Sequence, residues 1–146
     1  MRKYEEISNE WEKDAKYNEA HLDKELQRID NLLVKYHEMY RVEAIILSQR
    51  EKTLYRTYAV LRRYYTGAFT KSDLDFVNRP PYALKVLRGD LKDVIESDDL
   101  YLDNKSLVDQ QKIKIDLIQR ILKRIENRGY SIKEMIAWHK WTGGMQ

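Results

Sequence analysis

The chain has 146 residues, 35% charged and 42% hydrophobic, with five glycines, two prolines and a formal net charge of +3. That is one domain by length, and the scarcity of glycine and proline argues for long helices over a compact mixed fold. The absence of cysteine excludes disulfides and thiolate metal sites; no segment has the unbroken apolar length of a membrane span and the start lacks a signal-peptide core, so a soluble intracellular protein is expected.

Residues 2–16 carry a short helical stripe, Ile7, Trp11 and Ala15, set among charges and assigned to packing. Asn18 then has the character of a helix cap, with Glu19 placed where the helix dipole favours an anion. From there to Thr66 neither proline nor glycine interrupts the chain, and the spacing predicts one helix over 18–66, about 70 Å long. Its apolar seam runs Leu22, Leu26, Ile29, Leu33, Tyr36, Tyr40, the alternation of a left-handed coiled coil. At Tyr40 the pattern steps to Ala44 and resumes through Leu47, Leu54, Tyr58, Leu61 and Tyr65, a stutter with Glu51 as its one charged position. A helix so long needs other helices to lie against, from other copies of the chain.

Gly67 supplies a helix stop. Residues 68–105 are expected to form a loop closed by Pro80 and Pro81, then a brief helix capped by Asp90 and ending at Ile95. The acidic run Glu96, Ser97, Asp98, Asp99 reads as solvated surface leading into a connection. A third helix is expected over 106–127, stopped by Gly129. Ser131 and Glu134 have the spacing of a capping box for a last helix, which ends at Gly143 and Gly144. This hairpin, 106–146, has a large apolar area for its length: Leu117, Ile118, Ile121, Leu122, Ile125, Ile132, Met135 and Ile136. Self-association is its expected use.

No catalytic constellation is visible: there is no phosphate-cradling glycine loop, no glycine-flanked nucleophile and no carboxylate pair set apart from the solvating charge. His21, His37 and His139 lack metal-ligand spacing, so neither an enzyme nor a cofactor or metal is expected. The charge is segregated, however. Basic residues cluster over 50–71 and 112–140, and the acidic excess lies over 90–109. The first basic cluster, Arg50, Lys52, Tyr55, Arg56, Arg62, Arg63, Tyr64 and Lys71, interleaves cations with rings. Single-stranded nucleic acid needs both, cations for its phosphates and flat rings for its unpaired bases. Tyr58 and Tyr65 fall on the seam and are assigned to packing; Tyr55 and Tyr64 lie off it and are the stacking candidates. A rival reading is a structural coiled-coil protein, a virion or scaffold component without nucleic-acid binding. It predicts the same helicity and self-association.

Tyr64, Tyr65, Thr66 and Gly67 closing a long basic helix, then Val86, Leu87, Asp90, Asp93 and Val94, then Arg128, Gly129, Tyr130, Ile132 and Lys133, together resemble the UvsY family, recombination mediators of T-even-like phages. The likeness covers most of the chain through short, scattered motifs. The family's lysine, alanine, arginine, leucine pattern before the paired tyrosines is replaced by Ala59, Val60, Leu61, Arg62, Arg63, so the DNA assignments of Arg62 and Arg63 are by region. The resemblance implies an all-α protein, a long coiled-coil-like helix followed by a loop and a C-terminal helical hairpin, assembled as an oligomeric ring of six or more subunits. It implies single-stranded DNA, a phage recombinase and a single-strand binding protein as partners, no membrane, and the cytoplasm of the infected bacterial host as location. The implied division of labour is 1–67 with the DNA-binding end, 68–105 as connection, and 106–146 for oligomerisation, within one helical domain.

Overall fold

The computed structural model describes residues 2–144 and is all-helical. Helix α1 (Tyr4–Asp14) is followed by a 3₁₀ turn (Glu19–His21), α2 (Leu22–Thr66), α3 (Lys71–Val77), α4 (Leu91–Glu96) and α5 (Asp99–Gly144). The long helix stands as its spacing predicts. The expected hairpin does not: α5 is one helix of 46 residues that starts before Ser106 and runs through Gly129, with no new helix at Ser131. The reason is at Gly129 itself, which is buried. A glycine inside a helix costs only about 1 kcal/mol against alanine, and the burial of Ile125 and Ile132 on either side of it in one core outweighs that, while a Cβ at Gly129 would meet Ile29 Cγ2 at an ordinary 3.5 Å.

The chain divides into two compact units. Unit 1 comprises residues 1–44 and 113–146, which bring together α1, the first half of α2 and the second half of α5. Its core is Ile7 and Trp11 from α1, Leu22, Ile29, Leu32, Tyr36 and Met39 from α2, and Ile118, Ile121, Leu122, Ile125 and Ile132 from α5. Each such side chain contributes roughly 1.5–3 kcal/mol on burial. Trp11 meets the Tyr36 ring edge-on at 5.7 Å. The Tyr36 hydroxyl donates to Asp14, as does Lys35 Nζ at 2.6 Å, which fastens α1 to α2. Burial by itself would raise the Asp14 pKa, but these hydrogen bonds outweigh it and hold the carboxyl below its ordinary range.

Unit 2 is residues 45–112. Val60, Leu61 and Tyr64 of α2 pack against Val77, Leu91 and Ile95 from α3 and α4. Helix α2 ends at Gly67, whose φ of +79° is the left-handed conformation that glycine adopts without a Cβ penalty. The expected loop after it holds a helix, α3, begun by a reciprocal cap: Thr70 Oγ1 accepts from the Asp73 N–H and Asp73 accepts from the Thr70 N–H. The acidic run is not simply solvated surface either. Asp98 is buried, receives both Arg79 guanidinium arms at 2.6 and 2.8 Å, and accepts from the Tyr65 hydroxyl and the Leu100 N–H.

The seam of α2 also differs from expectation. Leu22, Ile29, Tyr36, Glu43, Arg50, Thr57 and Tyr64 follow one another at strict heptad spacing, and all are buried except Arg50, which is half-buried. The seam therefore continues straight through Tyr40 without a stutter. Its middle is polar and each polar member is matched by α5. In unit 1, Glu43 pairs with the buried Lys114 at 3.0 Å, and Lys114 Nζ also donates to the Arg2 carbonyl. In unit 2, Arg50 donates to the Leu107 carbonyl and to Gln111, and Asn104 donates to Thr57.

Candidate nucleic-acid interface

Opposite that seam, on the unit 2 part of α2, lies a basic face. At about 3.6 residues per turn, Lys52, Tyr55, Arg56 and Arg62 fall within roughly a third of the helix circumference, centred away from Arg50, Thr57 and Tyr64. All four are exposed, and Tyr55 is the most open large aromatic side chain described, at 81%. Among the described residues none of Lys52, Arg56 and Arg62 is held in an ion pair, so their charge is available to an outside anion. Lys71 is exposed in the first turn of α3. That helix is fastened to the end of α2 by Arg63, whose Nε and Nη2 each donate to Asp73 at 2.8 Å.

The cations expected to act together are thus of two kinds. Lys52, Arg56, Arg62 and Lys71 face outward, whereas Arg50 and Arg63 belong to the framework. The hydrogen bond from Arg63 lowers the Asp73 carboxyl to about 2, which leaves the pair ionised as a structural clasp. Tyr64 is a correction: it is only 5% exposed, packs among Tyr65, Phe69 and Tyr82, and donates its hydroxyl to the Pro80 carbonyl. It stands on the uninterrupted seam, which is why it is not free to stack on a base.

The residues expected to oligomerise are likewise mostly used within the chain. Ile118, Ile121, Leu122, Ile125 and Ile132 are buried in unit 1, and Leu117, Met135 and Ile136 are partly buried against them, because α1 and α2 cover that face of α5. What α5 leaves outward is a different stripe, Tyr130, Trp138 and Trp141, with the two indoles stacked at 5.4 Å. Their eight- and three-residue spacing on one continuous helix was the available sign, hidden by the stop expected at Gly129. Similarly, Thr70 and Asp73 at capping-box spacing mark α3 in a stretch expected to be loop. Among the described residues no group of histidines and carboxylates is arranged to hold a metal, and no helix is long and apolar enough to cross a membrane.

Among the described residues there is no strand, and the long helix carries cations and an open ring on the face away from its seam. The profile of the family described as "Recombination, repair and ssDNA binding protein UvsY" matches residues 10–145, and the chain belongs to the UvsY family. Two crystal forms of the bacteriophage T4 recombination mediator protein UvsY share its fold. Lattice type II gives a TM-score of 0.81 at 17% identity, over 98% of this chain and 99% of that one. Lattice type IV gives 0.83 at 18% identity, over 97% and 99%. No curated sequence matches at a significant level.

Proposed function

We propose that the chain is a single-stranded-DNA-binding recombination mediator, which helps a recombinase onto DNA covered by single-strand binding protein in phage recombination, repair and recombination-dependent replication. The observation that carries this reading is the open face Lys52, Tyr55, Arg56 and Arg62, supported by the family's description. Cations there follow the phosphates and Tyr55 offers a base its ring, with Lys71 extending the path. The protein acts as a homo-oligomeric ring in the cytoplasm of the infected bacterium. Occupation of one subunit raises the effective concentration of the strand at the others, so modest sites add up to tight binding. The outward aromatic stripe of α5 is the contact between copies, and the constrained strand is the form handed to the recombinase as the competing binding protein leaves.

The test is fluorescence anisotropy of a labelled oligothymidine across a salt series. The logarithm of the binding constant is expected to fall linearly with the logarithm of salt, with a slope of about −0.7 per phosphate neutralised. The Lys52→Ala/Arg56→Ala variant is expected to weaken binding to all sequences alike and to flatten that slope. A wild-type protein that ignores the strand at low salt would leave a structural coiled-coil role as the better account.

A further inference from the structure

A second cationic feature lies in unit 1, in a cavity of about 290 Å³ lined by Tyr17, Arg124, Asn127, Arg128 and Ser131, with Ile132 and Met135 completing it. Arg128 is unusual within it. Its guanidinium sits 4.8 Å from the Tyr17 ring and 5.6 Å from the Trp11 ring, yet among the described residues its buried Nη1 has no hydrogen-bond partner. A buried guanidinium nitrogen left without an acceptor costs free energy, and sites that carry such a cost commonly recover it from a ligand. Among the described residues neither Arg124 nor Arg128 is ion-paired, and no carboxylate lines the cavity. The wall opposite α5 is also held in place. Arg28 donates to the Asp14 and Lys16 carbonyls at the start of the connection that presents Tyr17.

We propose that this cavity is a phosphate pocket that takes a phosphodiester of the bound strand, at a place separate from the basic face of α2. It rests on the strand-binding reading above. Two guanidinium groups, an amide and a hydroxyl on one face of α5 supply more donors than a planar carboxylate needs, since that is satisfied by a single guanidinium fork, and so suit a phosphate. Tyr17, partly exposed and already stacked on Arg128, stands where the adjoining nucleotide meets a flat surface.

The test uses the full chain in three arms: labelled oligothymidine over a salt series, thermal melting in inorganic phosphate against chloride at equal ionic strength, and competition by a glutamate decamer. Arg124→Gln changes an exposed residue and leaves the Trp11 packing alone, whereas Arg128→Gln removes the buried cation. Each is expected to weaken strand binding roughly tenfold, the loss of about one charge-assisted hydrogen bond. Each is also expected to reduce the salt slope by about 0.7. Phosphate is expected to raise the melting temperature of the wild type and not of Arg128→Gln. The inference is overturned if Lys52→Ala/Arg56→Ala weakens strand binding while both pocket variants bind normally. It is also overturned if the decamer binds in an Arg128-dependent way and the strand does not, which would make the site a carboxylate receptor for a protein partner. If the wild type binds no strand, the functional reading fails, and the phosphodiester assignment fails with it; a phosphate-dependent melting shift lost in Arg128→Gln then separates an anion pocket from none.

Discussion

At Asp98, several partners converge on one carboxylate. Burial alone would raise its pKa, but the hydrogen bonds from Arg79, Tyr65 and the Leu100 N–H outweigh burial and hold it at about 2, below the ordinary 3.8. Folding therefore lowers this pKa, so the unfolded chain binds the proton more readily. The stabilisation is complete above about pH 4 and is lost as the pH falls toward 2. Thermal melts across that window are expected to show the wild type losing stability faster than Asp98→Asn. At neutral pH Asp98→Asn is expected to be the weaker protein by about 1–3 kcal/mol, since Arg79 loses a charged acceptor. Tyr55 is the contrasting case. With 81% of its surface exposed it adds little to packing, so Tyr55→Ala is expected to melt like the wild type while losing roughly 1–3 kcal/mol of oligothymidine affinity, read by anisotropy. Its openness was legible from its place off the seam; the burial of Tyr64 was not, because the seam that buries it runs through polar residues.

Among the elements, the two long helices show what the sequence reveals and what it hides. A stretch without proline or glycine and with apolar residues at heptad spacing announces α2 in full. The polar middle of its seam is hidden, since Glu43, Arg50 and Thr57 look like surface residues until Lys114, Gln111 and Asn104 are placed beside them. The stutter expected at Tyr40 followed the apolar residues off the true contact line. Gly129 misled for a related reason: a glycine that ends a helix and one that a buried helix carries through are alike in sequence, and only the burial of Ile125 and Ile132 beside it tells them apart. The polar layer has its own consequence. Glu43→Ala leaves Lys114 charged, buried and without its carboxylate, which is expected to cost about 3–5 kcal/mol by chemical denaturation. Replacing both residues by apolar ones of similar volume is expected to restore most of that, at the risk of a less definite register between the helices.

For the molecule as a whole, the proposed contact between copies is the outward stripe of α5. Trp138→Glu together with Trp141→Glu is expected to lower the mass seen by light scattering and to weaken strand binding through lost avidity. Ile121→Asp, which buries a charge in the core, is expected instead to unfold the chain. The division into units carries a kinetic consequence. Unit 2 is one continuous stretch, whereas unit 1 is made from the two ends of the chain, which meet only after residues 45–112 have gone out and returned. Bringing the ends of such an excursion together costs on the order of 4 kcal/mol of chain entropy while the excursion is unfolded. A unit 2 already formed removes much of that cost, since its two boundaries lead directly to Glu43 and Lys114, 3.0 Å apart. Stopped-flow refolding is therefore expected to show that Ile95→Val in unit 2 slows folding, whereas Ile121→Val in unit 1 mainly hastens unfolding. In such a chain the middle is expected to fold first and then to splint its own termini together.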